Sequence, residues 1–196
     1  MCGRIAKISE LTRRIDEAAA EVMLPDAVGE DAGGEGVTAP RMHPNAQLLD
    51  SFYRAFARLD ADAMVACYAE DVHFSDPVCP DLRGPAAGAM WRMLCGRAAD
   101  LQIVHDGVEA DDASGRAHWV ARYTFSSTGR PVVNDIQATF QFRGGRIVRH
   151  QDQFDLWKWT RQALGPTGVF LGWTPAVQNK VRGQAAAGLE KFMKRA

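Results

Sequence analysis

No C-x-x-C spacing joins the four cysteines, Cys2, Cys67, Cys79 and Cys95, and no secretory leader is read ahead of them. They are expected to be reduced, cytosolic thiols rather than a disulfide framework or a zinc site. Long apolar runs are missing too. The longest uncharged stretch, Gln162 to Asn179, is broken by Gly165, Pro166, Gly168, Gly172 and Pro175, which excludes a lipid-spanning helix. Charge of one sign is not in excess: 23 Lys and Arg oppose 24 Asp and Glu for a net −1, so no overall field recommends nucleic acid or an anionic membrane as partner. There is no H-x-x-x-H pair, and no internal repeat. What remains is ordinary: 196 residues, 46% hydrophobic and 24% charged, enough to bury one real core.

The first segment, Ile5 to Val22, repeats Ile5, Ile8, Leu11, Ile15 and Val22 at helical steps around Arg13, Arg14, Asp16 and Glu17, and predicts an amphipathic helix. Pro25 to Pro40 alternates glycines with acids and carries little that can pack, so it reads as a linker. Residues 1–42 therefore form an appendage, and the domain is expected over residues 43–155. There Leu48, Leu49, Phe52, Phe56 and Leu59 make a helical stripe, and Asp60 caps a second short helix through Cys67 or Tyr68. Val72 to Asp76 predicts a strand stopped by Pro77, and a third helix is expected around Ala87 to Leu94.

Four strand-length runs follow, Leu101–Glu109, Ala117–Ser126, Val132–Phe142 and Arg146–Phe154, with turns at Asp111-Asp112, Thr128-Gly129 and Gly144-Gly145. Loops this short imply an antiparallel meander. Residues 156–196 form an extension that ends in a helix from about Pro175 to Arg195, with Val177, Val181, Leu189 and Phe192 on one side and Lys180, Arg182, Lys191, Lys194 and Arg195 on the other. A membrane-surface helix has this look, but a basic amphipathic helix is more often a solvated cover on its own domain, which is the reading preferred.

The order helix, helix, strand, helix, curved sheet is that of an α+β cone, and two stretches make the likeness specific. AMVACYAEDVHFSDPVCPDLRG, Ala63 to Gly84, and GGRIVRHQDQFD, Gly144 to Asp155, resemble patterns of the SnoaL-like members of the nuclear-transport-factor-2-like superfamily. The resemblance covers roughly Pro44 to Trp159. It implies a cone-shaped sheet wrapped by three helices, no cofactor or metal, and homodimerisation through the outer sheet face.

Within that superfamily Asp76, directly before a proline at the end of the first strand, matches the general-base position of steroid delta-isomerases. Such a base needs a carboxyl whose proton affinity is tuned by a partly apolar cleft. Asp-Pro is also a plain turn initiator, and both readings stand. The isomerase tyrosine position falls on Phe52, with Tyr53 one residue off, and the isomerase aspartate position falls on Gln137. The known steroid-isomerase oxyanion hole is therefore absent. Strand alternation puts His150, Asp152 and Phe154 on one face and Asp135, Gln137 and Thr139 on one face of the preceding strand. If both faces line the cone, it holds Asp76, Asp135, Gln137, His150 and Asp152, a set that resembles SnoaL-like cyclases and related epoxide hydrolases. A one-residue slip would instead turn Arg149, Gln151 and Gln153 inward, and burying Arg149 is the costlier arrangement.

Phe56, Phe74, Trp91, Trp119 and Phe154 are the expected apolar lining, alongside Phe52 and Tyr53. The function expected is binding of a small hydrophobic molecule, with cofactor-free isomerisation, cyclisation or hydrolysis in which Asp76 is the base and Asp152 with His150 the acid or shuttle. Asp135 and Gln137 would orient the ligand. The alternative is a non-catalytic carrier or dimerisation module of the same fold. The opening Met1-Cys2-Gly3-Arg4 is similar to the start of SOS-response-associated peptidase-like proteins, but over that tetrapeptide alone, and Cys2 is read as a free thiol.

Overall fold

The computed structural model describes residues 42–195. The predicted helix over Ile5–Val22, the linker and Cys2 lie outside the described residues. Pro44 sits in the first turn of α1 (Pro44–Ala57), where its missing N–H costs nothing, and the His43 ring accepts from the Asn45 N–H. Leu49, Phe52, Tyr53 and Phe56 form its buried stripe. Leu59 takes a positive φ of 59° to end the turn, and the Asp60 carboxylate caps α2 (Ala61–Ala66) by accepting from the Ala63 N–H at 3.0 Å. β1 (Tyr68–Ser75) and the two-residue β2 (Leu82–Arg83) follow, then α3 (Pro85–Arg97). Gly84, before Pro85, has φ +47°, and a Cβ there would stand 2.7 Å from the Glu70 carbonyl oxygen, so only glycine fits.

Three long strands and one shorter one complete the sheet: β3 (Gln102–Ala110), β4 (Ser114–Phe125), β5 (Arg130–Arg143) and β6 (Arg146–Gln153). The order is β2-β1-β6-β5-β4-β3, antiparallel except for the parallel β1–β6 pair. Gly144 and Gly145, both at positive φ, make the tight β5–β6 turn. A bulge then follows at once. Gln141 pairs with Arg149 but Phe142 with Ile147, which leaves Val148 as the extra residue on β6. The bulge brings Ile147, His150 and Asp152 onto the same inner face, in spite of their mixed parity, and turns Arg149 outward. The inward phase expected for His150 and Asp152 is thus the one adopted.

The extension builds α4 (Leu156–Leu164), α5 (Pro166–Leu171) and α6 (Pro175–Met193). β6 reaches β5 only from Gln137 onward, so the start of β5 has a free edge, and the Gln162 side chain satisfies it. It accepts from the Val133 N–H at 2.9 Å and donates to the Val133 carbonyl at 3.0 Å. Val132, Leu156, Trp159 and Ala163 form a second small core there, with the Trp159 indole donating to the Tyr123 hydroxyl at 2.8 Å. Further on, α6 inserts Leu189 into the main core, and Arg182 donates to the Pro77 carbonyl at 2.9 Å. The last helix covers its own domain, as its pattern suggested. The sequence pattern does not set α4 and α5 apart, because Trp157, Gly165 and Pro166 interrupt any long period.

Candidate functional site

A chain of hydrogen bonds crosses the interior of the cone. The Trp91 indole N–H donates to the Tyr68 hydroxyl at 2.8 Å, and that oxygen lies 2.7 Å from His150 Nδ1. On the other side His150 Nε2 is 3.0 Å from Asp152 Oδ1, which also accepts from the Trp119 indole at 3.2 Å. A neutral imidazole with its proton on Nε2 satisfies every member: Trp91 donates to Tyr68, Tyr68 donates to His150, and His150 and Trp119 donate to the Asp152 carboxylate. His150 is fully buried and Asp152 is 3% exposed, so a missing partner here would leave a desolvated polar group. Burial holds the Tyr68 phenol well above its ordinary pKa, in spite of the bond from Trp91.

The His150 ring is clamped by aromatic faces and edges. Phe140 stands opposite it across the β5–β6 pair with centroids 4.3 Å apart, Phe74 is at 5.1 Å, Phe52 at 5.6 Å, and Trp91 stacks at 6.0 Å. Phe56 touches both Trp91 and Trp119 edge-on. This packing locks the ring and keeps water from its two bonds.

Asp76 stands at the end of β1, in the turn that the Asp-Pro step predicts. Its Oδ1 accepts from the Val78 N–H at 2.6 Å and from the Cys79 N–H, while its own N–H donates to the Cys79 carbonyl at 2.9 Å. The turn-initiator reading is therefore correct. It does not exclude the other reading, because burial pushes the Asp76 carboxyl up to about 6, against the two backbone donors that favour the anion. The Asp152 charge raises it further and the His150 ring opposes that. Asp152 and His150 are thus close enough to act on the Asp76 carboxyl.

Tyr53 adds an unspent donor. It is fully buried, with its ring stacked on His105 at 5.2 Å and packed on Trp119 and Phe140, yet its hydroxyl has no partner among the described residues. Burial first, then the Asp152 charge, raises its pKa well above the usual phenol value, so it stays protonated and able to donate. Phe154 is half-buried between the main core and the second one.

Two expected members are elsewhere. Asp152 pairs with Ala138 and His150 with Phe140, so the inner face of β5 carries Ile136, Ala138 and Phe140. Asp135 and Gln137 lie on the outer face. There Asp135 accepts from His118 at 2.9 Å, and Gln137 stands opposite His118 in the β4–β5 pair. Alternation sets the phase inside each strand, but only the pairing register relates one strand to the next. That outer face holds an open groove of about 690 Å³ whose lining includes Glu109, Arg116, Gln141 and Arg149. Tyr68 is the member that sequence reasoning missed. Its signal was a tyrosine opening a strand that pairs in parallel with the one carrying His150. Among the described residues, no three His, Cys, Asp or Glu side chains are grouped to hold a metal ion, and no helix is long and apolar enough to cross a membrane.

The profile of the SnoaL-like domain family matches residues 49–150, a little over half of the chain. The chain belongs to the SnoaL-like family. No curated protein matches it. Among solved structures it is similar to a candidate polyketide cyclase from Xanthomonas campestris pv. campestris, 26% identical over 61% of this chain and 96% of that one, with a TM-score of 0.52. An LEH-like epoxide hydrolase of M. tuberculosis matches at 19% identity over 64% and 92% of the two chains, with a TM-score of 0.53. A protein with ketosteroid isomerase-like fold from Catenulispora acidiphila matches at 15% over 70% and 100%, with a TM-score of 0.54. The last two likenesses show the fold: in this SnoaL-like chain the six-stranded mixed sheet, with its helices, is the superfamily's α+β cone.

Proposed function

We propose that this SnoaL-like domain binds a small hydrophobic molecule bearing a carbonyl or epoxide oxygen and performs cofactor-independent acid–base chemistry on it. One observation carries the reading: Asp76, with its carboxyl pushed up to about 6, sits within electrostatic reach of an Asp152 wired to His150 and Tyr68. Two carboxyls held in different environments are what a proton-transfer site needs, one to take a proton and one to keep its charge. Asp76 is the base. It removes a proton from carbon next to the carbonyl, the electron pair moves onto oxygen, and the same proton returns at a second carbon. Tyr53 donates to the developing oxyanion. Asp152 accepts from the His150 and Trp119 donors, so His150 and Tyr68 act through it as positioning residues. Asp135 and Gln137, on the outer face, have no part in this scheme.

Support from the comparisons is a family one: the neighbours include proteins named as a polyketide cyclase candidate, an epoxide hydrolase and a ketosteroid isomerase-like fold. The test is turnover of a panel containing a β,γ-unsaturated ketosteroid, a terpene epoxide and an aromatic polyketide ester. Asp76→Asn is expected to abolish turnover of whichever probe reacts, with binding retained by calorimetry. Retained turnover removes Asp76 from the role.

A second reading, a carrier or interaction module of the same fold, is favoured by the close ring packing around His150, which fills much of the cone with side chains. Under it, the panel gives no turnover with any probe, and no probe raises the melting temperature. Homodimerisation through the outer sheet face is part of the proposal, and light scattering tests it.

A further inference from the structure

The extension is charged unlike the rest of the chain. From Leu156 to Arg195 it carries seven Lys and Arg against a single acid, Glu190, so the balanced net charge conceals a cationic extension on an acidic body. Between Leu156 and Arg182 there is no acid at all, while Lys158, Arg161, Lys180 and Arg182 are present. The first three of these are exposed.

Its middle is folded so as to push apolar side chains outward. Gly168 and Gly172 press against Thr160, leaving no room for a Cβ at either, and this clamps α5 onto α4. The side chains pointing away from the clamp are Val169, Phe170, Leu171 and Trp173, which are 44%, 73%, 51% and 63% exposed. Trp157 on α4 is also exposed, with the Arg161 guanidinium over its ring at 4.6 Å. Large apolar groups this exposed and this close together mark an interaction surface.

We propose that this tip, centred on Phe170 and Trp173, inserts into the interface of an anionic lipid bilayer. Aromatic side chains favour the headgroup level, and Lys158, Arg161 and Lys180 of the same extension, with Asp155 at its start as the nearest acid in sequence, supply the cations to meet acidic lipids. A second copy of the chain joined through the same patch would set cation against cation about a two-fold axis, which disfavours that occupant. The apolar residues crown a short helix and turn instead of lining a groove, so a deformable medium receives them better than a rigid protein surface.

The test uses the full chain with vesicles of phosphatidylcholine alone or with about 30 mol % phosphatidylserine, read by co-sedimentation. Partition to the anionic vesicles is expected to exceed that to neutral ones by at least about tenfold, since each cation near the surface contributes roughly fivefold, and to fall as salt rises. Phe170→Ala with Trp173→Ala is expected to lose most of this partition at an unchanged melting temperature. Brominated lipids should quench part of the wild-type tryptophan emission, and Trp173→Phe should remove that part. Equal or no binding to the two vesicle types overturns the proposal, as does undiminished binding of the double variant. So does light scattering that shows an oligomer which the double variant dissolves, because a second copy is then the occupant. An acidic protein as the true partner would leave the vesicles unbound, the same overturning result. None of these readouts depends on turnover.

Discussion

Two histidines stand on opposite faces of the same sheet, each between two hydrogen-bonding partners, and they behave differently. His150 on β6 faces inward, fully buried, with one carboxylate, Asp152, and one hydroxyl, Tyr68. His118 on β4 faces outward with two carboxylates, Asp106 and Asp135, each at 2.9 Å, and its side chain is 29% exposed. Two acceptors ask both ring nitrogens to donate, and so the bonds to Asp106 and Asp135 raise the His118 pKa. A hydroxyl can donate, so the inner ring is satisfied without a charge. The inner network is costly to disturb because water cannot replace a lost partner, whereas on the outer face it can.

The largest effect should come from breaking the inner network. His150→Ala orphans Asp152 and Tyr68 and leaves a void among the aromatic rings, and is expected to cost about 3–5 kcal/mol in a urea unfolding curve. His118→Ala on the outer face should cost less than about 1 kcal/mol in the same assay. Equal costs would erase the contrast between the faces.

Asp76 sharpens the comparison through pH. The folded protein holds the Asp76 proton up to about pH 6, against 3.8 for an ordinary aspartate. Between those values the native state binds more protons than the unfolded chain, so this group's contribution to stability falls as pH rises through the window and stays low above it. Asp76→Asn keeps an oxygen for the Val78 and Cys79 donors without the buried charge. It is expected to be more stable than wild type at pH 7.5, by on the order of 2 kcal/mol, and to lose that advantage near pH 4. Melting temperatures of both proteins across the range check it.

Arg182→Ala removes the bond from α6 to the Pro77 carbonyl beside Asp76. A loss of about 1 kcal/mol is expected, with faster amide exchange in α6 and at Val78 and Cys79 than in β5. The smallest effect belongs to His118→Gln. His118 stabilisation is complete below about pH 6.5 and is lost as pH rises through its raised folded value, so the wild-type advantage over the variant should shrink from pH 6 to pH 9. A proton NMR titration of the His118 ring should give a midpoint above 6.5.

Much of the fold was legible because local rules agree with one another. The Leu49–Phe56 stripe, the Asp60 cap, the Gly144-Gly145 turn and the strand-length runs each point to the same elements that form. Of the residues expected inside the cone, His150 and Asp152 face inward and Asp76 lies at the end of β1, while Asp135 and Gln137 lie on the outer face. Alternation along β5 left two phases open, and nothing local to β5 chooses between them. Tyr68 and the indole donors of Trp91 and Trp119 could not be read as partners, since they lie 82 and 33 residues from the groups they help to hold and 23 from each other in the case of Trp91 and Tyr68.

The cone came with the family resemblance, whereas residue types and spacing determined by themselves the order of helices and strands, an acid before a proline at the end of the first strand, and a histidine two residues from an acid near the last. Those features depend on contacts within a few residues, and a linear pattern encodes them. Only the tertiary structure decided that Val148 bulges, that Asp152 sits opposite Ala138, that the Tyr53 hydroxyl has no partner among the described residues, and that Phe170 and Trp173 point outward. Each of these follows from how strands pair and helices clamp, where the closest competing arrangements differ by a single register step or the size of one side chain.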